Sequence, residues 1–193
     1  MNTSTRLQLN VPEQKDIILL DFSKMLSRRN IIKHTDIPKI HTQLSSLKPD
    51  NNIYNIKIND ISISLLLYFF PLTTIKKSSA EEEFILKKKD MKFIIAKEIT
   101  KKTYSQAIEN NTETFELHDF LIDIPSNPLV PLHILLTNEQ KNILLKLYQE
   151  KELPKIKVDD IMAKYIGAKK GDIIKIIRNT INSGESVYYR KVI

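Results

Sequence analysis

The sequence predicts a two-domain α/β (α+β) protein, with an N-terminal domain over residues 1–125 and a smaller C-terminal domain over residues 126–193. Helical and strand periodicities alternate in both parts of the chain. Residues 123–128 contain two prolines, a serine and an asparagine, a composition typical of a domain boundary. All three glycines follow that boundary, each just past a periodic segment: Gly167, Gly171 and Gly184.

Two helices are predicted at the start of the N-terminal domain. Asn10 and Glu13 have the spacing of a capping box, in which each side chain accepts a hydrogen bond from the other residue's backbone amide. Apolar residues then recur at mostly helical spacing to about Asn30. A second helical pattern begins at Asp36 and ends before Pro49.

Two groups of basic residues lie where predicted helices end. Arg28 and Arg29 follow the first helix, and three lysines at 87–89 follow a helix that Ser79 and Glu82 start as a second capping box. Because cations are stabilised at the negative end of a helix dipole, we expect both groups to have this role. A DNA contact is the alternative for the arginine pair.

Strand periodicity predicts a sheet in the same domain. Apolar and polar residues alternate through 54–58 and 61–63, and the apolar run 65–70 follows. Residues 91–96 predict a further buried strand, and residues 115–122 contain another short apolar segment.

A polar, basic turn over residues 97–103 follows the strand at 91–96 and precedes a predicted short helix at 104–108. Thr100, Lys101 and Lys102 lie in this turn. Since loops at sheet ends are exposed and held by a rigid scaffold, the turn suits a contact with phosphate. A solvated loop without a ligand is the alternative.

The C-terminal domain is predicted to be a small mixed sheet with two helices. Thr137 starts the first helix with a capping box, Gly167 ends the second as a C′ residue, and a turn at Ser183 and Gly184 joins the last two strands. Apolar residues on both faces make the strand after Gly171 a central one. The elements expected in order are residues 129–136, 137–148, 155–158, 160–166, 173–177 and 187–193.

The charge is +7 at pH 7 and unevenly distributed, with 18 basic and 16 acidic residues up to position 125 and 12 and 7 after it. Such an excess fits nucleic acid or an acidic protein partner, and it also fits a solvated lysine-rich surface. The chain has no cysteine and no apolar run near the ~20 residues that cross a bilayer. We therefore expect a soluble, intracellular protein.

No catalytic or metal-binding pattern is present in the sequence. The four histidines lack any metal-ligand spacing, and no nucleophile elbow or glycine-rich phosphate loop occurs. Helix capping accounts for the pair at 159 and 160. Tyr188 and Arg190 are predicted on one strand face and Tyr189 on the other, which favours packing over a base-stacking platform. No catalytic residue, metal or cofactor is expected.

The closing third of the chain resembles the fifth-subunit family of archaeal and eukaryotic DNA-directed RNA polymerases, a small polypeptide that the eukaryotic nuclear polymerases share. The matching residues keep the family's order and spacing. They are Leu129-Val-Pro131-x-His133, Leu153-Pro154-x-Ile156, Asp160, Ala163, Tyr165-x-Gly167, Gly171-Asp-Ile-Ile-Lys-Ile-Ile-Arg178, Ser183-Gly184 and Tyr189-Arg190.

The resemblance implies a division of the family between archaeal and eukaryotic forms. The archaeal form is similar to the C-terminal part alone, and the eukaryotic form adds a mixed α/β jaw domain, of which residues 1–125 look like a shortened version. The family has Thr-Pro-Ser-Ala near downstream DNA where this chain has Thr100-Lys-Lys-Thr103, and Asp-Pro-Val-Ala-Arg-Tyr where it has Asp160-Ile-Met-Ala-Lys-Tyr165. A compact, AT-biased member with the eukaryotic layout fits a large DNA virus.

The function implied by this resemblance is that of a non-catalytic assembly and jaw component of a multisubunit DNA-directed RNA polymerase. The C-terminal domain would dock on the largest subunit, and Thr100, Lys101 and Lys102 would face downstream double-stranded DNA. The expected docking residues are Leu153, Pro154, Tyr165, Gly167, Arg178, Tyr189 and Arg190.

The expected partners are the other polymerase subunits, with no membrane and no homo-oligomer. The expected location is the cytoplasm of an infected cell or a virion for a viral protein, and the nucleus for a cellular eukaryotic one. A free-standing basic nucleic-acid-binding protein is the alternative function, and an enzyme with an unrecognised site is a third.

Overall fold

The computed structural model describes residues 9–89, 91–180 and 184–193. The chain forms two compact units, the first ending at Ile122 and the second beginning at Asp123. The boundary placed after residue 125 from sequence lies slightly further along, within the short 3-10 turn Ile124–Ser126. Helices and strands are mixed in both units, which confirms the α/β fold class.

The described part of the first unit has five α-helices and four strands. In chain order they are α1 Val11–Arg28, α2 Ile37–Ser46, β1 Ile53–Ile58, β2 Ile61–Tyr68, α3 Ala80–Leu86, β3 Met91–Ala96, α4 Lys101–Glu109, β4 Thr112–Glu116 and α5 Leu117–Leu121.

Helix α1 begins where its capping box predicts. The Asn10 side chain accepts a hydrogen bond from the Glu13 amide at 3.0 Å, and the Glu13 carboxylate accepts one from the Asn10 amide at 3.2 Å. The apolar face of the helix is buried, and Phe22 makes an edge-on contact with Phe93 of β3, with 5.1 Å between ring centroids. This contact packs α1 against one face of the sheet.

The prediction for Arg29 needs correction. Its guanidinium donates two hydrogen bonds to the Glu113 carboxylate of β4, at 2.9 and 2.7 Å, and its side chain is only 5% exposed. A bidentate pair of this kind holds both planar groups in register. Arg29 therefore ties the end of α1 to the sheet, and its burial removes it from any contact with DNA.

The sheet of the first unit has the order β1-β2-β3-β4. β1 and β2 are antiparallel and joined by Asn59 and Asp60, which both have positive φ, as a two-residue hairpin turn requires. β2, β3 and β4 are parallel. β2 ends at Tyr68, earlier than the predicted apolar run, and β3 is buried over nearly its whole length as predicted.

The basic turn predicted over residues 97–103 is partly wrong, because α4 already begins at Lys101. Thr100 is the N-cap residue, and Lys101 and Lys102 form the first helical turn with Thr103. The polar composition of this stretch conceals the helix start, since threonine at an N-cap followed by lysines is compatible with a helix as well as with a loop.

The second unit contains a four-stranded sheet and two α-helices in its described part, as predicted. Its elements are β5 Leu132–Leu135, α6 Asn138–Leu147, β6 Lys155–Ile156, α7 Ile161–Tyr165, β7 Ile173–Thr180 and β8 Gly184–Val192. The strand order is β5-β7-β8-β6, with β6 and β8 parallel and the other pairs antiparallel, so the sheet is mixed.

Several details of the second unit differ from the predictions. β6 is shorter than the alternating pattern to Val158 indicates. Gly184 starts β8 with a φ of 68°, whereas Ser183 of the predicted turn lies outside the described residues. On α6, Leu144 is buried, whereas the apolar side chains of Ile143 and Leu147 are exposed.

Helix α7 is capped at both ends. The Asp160 side chain accepts a hydrogen bond from the Met162 amide at 2.9 Å, which settles the N-cap between the two neighbouring aspartates. At the other end Gly167 has a φ of 73°, and the Ala168 amide donates to the Ala163 carbonyl at 2.9 Å, in the arrangement of a Schellman motif.

Candidate functional site

Three parallel strands of the first unit, β2, β3 and β4, end at one edge of its sheet, which we call the carboxyl edge. The chain leaves β3 at Ala96 and enters α4 at Lys101, so the three predicted DNA-facing residues lie at this edge. Open α/β sheets bind ligands beyond the carboxyl ends of their strands. The carboxyl edge is therefore the candidate site of the first unit.

Thr100 holds the start of α4 in place. Its hydroxyl accepts a hydrogen bond from the Thr103 amide at 3.4 Å and donates one to the Thr73 carbonyl oxygen at 2.7 Å. Thr103 is fully buried. The Thr100 side chain is thus engaged with protein groups, and its role at the edge is to position the two lysines that follow.

Lys101 and Lys102 are exposed in the first turn of α4. The amides of a first helical turn lack helical acceptors and point outward, which creates a positive potential that attracts anions and disfavours lysine. Helix α3 follows the usual preference and carries three glutamates in its first turn, whereas α4 carries none. The start of α4 therefore concentrates positive charge at a cost in stability, as expected of an anion-binding surface.

Tyr68 and Glu81 form a polar contact near the same edge. The Tyr68 hydroxyl donates a hydrogen bond to the Glu81 carboxylate at 2.7 Å. Burial, together with this bond and the negative charge of Glu81, raises the pKa of Tyr68. Burial raises the pKa of Glu81 too, but hydrogen bonds from Tyr68 and Ser79 and the charge of Lys76 outweigh it, and the net pKa is below the ordinary value. Glu81 is therefore a charged, internally engaged carboxylate.

The second unit places two of the predicted docking residues in its interior. Tyr165 and Leu153 are both buried, and Leu153 packs with Leu144 and Ile173 in a cluster between α6 and the sheet. Tyr189 is half-buried against the same cluster. Leu153 and Tyr165 therefore stabilise the unit and offer little surface to a partner, whereas part of Tyr189 stays exposed.

The remaining predicted docking residues lie nearer the surface. Pro154 is exposed, and its carbonyl oxygen accepts a hydrogen bond from the Lys191 amide at 2.8 Å. The Arg190 guanidinium donates one to the Lys155 carbonyl at 3.2 Å, which brings it close to Pro154 in the chain. Gly167 is half-buried at the end of α7.

Arg178 is on the same face of the sheet as Tyr188 and Arg190, because its cross-strand partner is Ser186 and alternate residues of a strand share a face. It is exposed on β7, and its guanidinium carbon lies 5.5 Å from the centroid of the Tyr188 ring on β8. A cation–π contact at an exposed site contributes about 0.5–1 kcal/mol. Docking by the members of the predicted set stays a prediction.

One face of the second sheet carries an apolar row that the sequence analysis did not identify. Leu132, Ile177 and Val187 are direct cross-strand partners on β5, β7 and β8. Leu132 is 60% exposed, Val187 is 40% exposed and Ile177 is half-buried. We call these three residues the aliphatic row. Since α6 packs on the same face at Ile173 and Tyr189, it covers only part of that face.

Within residues 9–89, 91–180 and 184–193, no group of three or more His, Asp or Glu side chains is arranged to hold a metal ion. In that part of the chain, no helix is long and apolar enough to cross a bilayer.

Comparison with known proteins identifies the family. Residues 122–192 match the family described as RNA polymerase Rpb5, C-terminal domain. "DNA-directed RNA polymerase subunit Rpo5" of Archaeoglobus fulgidus is 52% identical over 67 residues, which are 34% of this chain and 88% of the archaeal protein. The chain belongs to the RNA polymerase Rpb5 family. The resemblance noted in the closing third of the sequence is confirmed.

Two further relatives of this Rpb5-family chain come from an amoeba and a virus. "DNA-directed RNA polymerases I, II, and III subunit rpabc1" of Dictyostelium discoideum is 39% identical over 89 residues, 45% of each chain. "DNA-directed RNA polymerase subunit 5" of Acanthamoeba polyphaga mimivirus is 31% identical over 147 residues, 74% of this chain and 72% of the viral one. The viral match is longer than the second unit, so it extends into the first, and it confirms that the family has a viral relative.

The residues that sequence reasoning missed depend on strand register. In the sequence, Leu132 and Ile134 stand on either side of His133, but Leu135 is apolar as well, so the alternation is too short to mark an exposed face. The alignment of Leu132 with Ile177 and Val187 is set by pairing between strands far apart in the chain, which no local pattern reveals.

Proposed function

We propose that this chain is a non-catalytic subunit of a multisubunit DNA-directed RNA polymerase. In this proposal the second unit docks on the largest subunit, and the first unit acts as a jaw domain beside downstream double-stranded DNA. Nucleotide transfer belongs to the large subunits, and this chain contributes assembly and a grip on the template. The observation that carries the proposal is similarity to named polymerase subunits from an archaeon, an amoeba and a virus.

The aliphatic row supports docking through the second unit. Because a helix covers this sheet face only in part, branched apolar side chains stay in contact with water. Burying them against a partner is favourable, so their exposure favours a complex over the free protein. The centre of a stable protein interface is apolar and depleted in charge, as the row is. Leu132, Ile177 and Val187 therefore supply the apolar centre of the docking surface, with the largest polymerase subunit as the occupant.

The carboxyl edge supports the contact with DNA. Lys101 and Lys102 are held by a capped helix, so little conformational freedom of the backbone is lost when they meet phosphates. Contacts to phosphate position a protein on a duplex without reading its sequence. Such a contact suits a jaw that must hold whatever template enters the polymerase.

Affinity purification of the tagged full-length chain from its native source tests the proposal. We expect the two largest polymerase subunits to co-purify, identified by mass spectrometry. If the chain comes out alone or with nucleic acid only, the polymerase assignment fails and the free-standing nucleic-acid-binding protein becomes the leading function.

A further inference from the structure

The loop between β2 and α3 is held against the chain segment that leads into α4. The Leu72 amide donates a hydrogen bond to the Glu98 carbonyl at 2.8 Å, and the Thr100 amide donates one to the Leu72 carbonyl at 3.4 Å. Leu72 and Ile99 form a parallel bridge beyond the ends of β2 and β3. Together with the Thr100–Thr73 hydrogen bond, these contacts make one connected surface of two loops.

Positive charge dominates this surface. Residues 69–79 and 97–103 contain five lysines and one glutamate: Lys76, Lys77, Lys97, Lys101 and Lys102, with Glu98. All five lysines are exposed. The charge therefore comes from both loops at the carboxyl edge and not from the start of α4 alone.

The acidic start of α3 only partly offsets this charge. Glu81 accepts the hydrogen bond from Tyr68 and lies close enough to Lys76 for that lysine to lower its pKa. The Glu82 carboxylate accepts a hydrogen bond from the Ser78 amide at 2.6 Å. With exposed Glu83, the first turn of α3 has three carboxylates, so the five lysines outnumber the nearby carboxylates, Glu98 included, by one. Glu81 offsets Lys76, which leaves Lys77 as the less compensated of the two cations in this loop.

We infer that the loop over residues 69–79 is a second contact to the phosphate backbone of the same DNA duplex, made through Lys77 and, more weakly, Lys76. The inference rests on the proposed function, because it needs the duplex at the carboxyl edge. B-form DNA carries one negative charge per about 1.7 Å of axis, so two neighbouring basic loops meet separate phosphates. Anchoring by Leu72 and Thr73 keeps the second loop beside the first.

The same sheet provides a matched control. Lys87 and Lys88 are exposed like the carboxyl-edge lysines, but they precede β3, whereas Lys97 follows it. A strand of six residues spans about 20 Å, so the two lysine groups lie at opposite ends of the strand. A duplex bound at the carboxyl edge leaves Lys87 and Lys88 without a phosphate contact.

The test uses polymerase assembled with the full-length chain and measures how its affinity for a downstream duplex falls with salt concentration. Log affinity falls as log salt rises, and each lost lysine–phosphate contact makes this fall less steep by about 1 unit of slope. A lower slope means a less steep fall. We expect K101A/K102A and K76A/K77A each to lower the slope, K77A to have a larger effect than K76A, and K87A/K88A to leave it unchanged.

Any other outcome overturns either this inference or the proposed DNA contact on which it rests. If K101A/K102A lowers the slope while K76A/K77A matches wild type, the second contact is absent and the proposed DNA contact stands. If neither pair changes the slope, the proposed DNA contact fails as well. If K76A/K77A instead loses a polymerase subunit at unchanged slope, the loop faces an acidic protein surface and the inference is wrong.

Discussion

The two units of this chain use similar parts in different ways. Each has a four-stranded mixed sheet with helices. In the first unit, α1 packs on one face of the sheet, while α3 and α4 share an apolar cluster with Leu66 and Ile94 on the other. In the second, α6 leaves the aliphatic row uncovered. Both units carry charged surfaces, and what distinguishes the second is the apolar surface that it also exposes.

The difference extends beyond the row. Among the described residues, nine large apolar side chains are exposed in the second unit and four in the first, although the first is the longer. Contiguous exposed apolar surface usually marks a protein interface. The proposed docking through the second unit and DNA contact through the first would use such a division.

A variant of Tyr165 distinguishes whether this residue stabilises the second unit or docks on a partner. Because its side chain is buried, Tyr165→Ala should lower the free energy of unfolding by about 3–5 kcal/mol, the range for truncating a buried aromatic residue. Urea denaturation of the full-length chain measures this loss. Native stability together with loss of polymerase binding would instead place Tyr165 in the interface.

The Arg29–Glu113 pair tests how firmly the first unit holds its own elements together. Glu113→Ala leaves the guanidinium, 5% exposed, without this carboxylate, and we expect a loss of about 1.5–3 kcal/mol in unfolding free energy, the range for hydrogen bonds to charged groups. Arg29→Met keeps most of the buried stem and leaves only the Glu113 carboxylate without its partner, so it should cost less, because the Glu113 side chain is 40% exposed and water can solvate it. Equal or reversed effects in denaturation experiments would contradict this account.

Thr100 tests whether the lysines at the carboxyl edge depend on a preformed helix start. Thr100→Ala removes the cap and should lower stability by about 1 kcal/mol, whereas Thr100→Ser keeps the hydroxyl and should stay close to wild type. In assembled polymerase, we expect T100A to weaken duplex binding without changing its salt slope, since both lysines remain. A slope equal to that of K101A/K102A would mean that both lysines lose their phosphate contacts when the cap is removed, since threonine carries no charge of its own.

The smallest expected effect on stability is that of Glu81, and it depends on pH. Its pKa is lowered in the folded chain, so the stability that it contributes is fully present above its unfolded pKa of about 4.5 and is lost as pH falls below that value through the folded pKa. Thermal unfolding between pH 3 and 6 should show a shallower loss for Glu81→Gln than for wild type. Unchanged pH dependence would show that its contact with Tyr68 carries no net stabilisation.

An element can be predicted from the sequence when the residues that cause it are close together in the chain. The capping boxes at Asn10 and Thr137 and the helix stop at Gly167 depend on neighbours within a few residues, and all three were predicted. The start of α4 at Lys101 was missed because Thr100 has no acidic partner three residues on to reveal the cap.

Contacts that join distant parts of the chain were out of reach. Arg29 and Glu113 are 84 positions apart, and their meeting depends on how α1 lies on the sheet. The aliphatic row depends on the register of three strands, and a shift of one residue would turn Leu132 to the other face. The local pattern therefore predicts which side chains are apolar, while register decides which of them stay exposed.

The most direct test of the docking proposal is the amount of largest polymerase subunit retained by tagged full-length variants. L132E/V187E places two charges in the aliphatic row, and I108E places one on an exposed apolar residue of the first unit as a control. We expect L132E/V187E to retain at least about ten-fold less of the largest subunit than wild type, since buried unpaired charges oppose association. The control I108E should retain as much as wild type. Circular dichroism should show that both variants are folded. Full retention by L132E/V187E would contradict docking through this face.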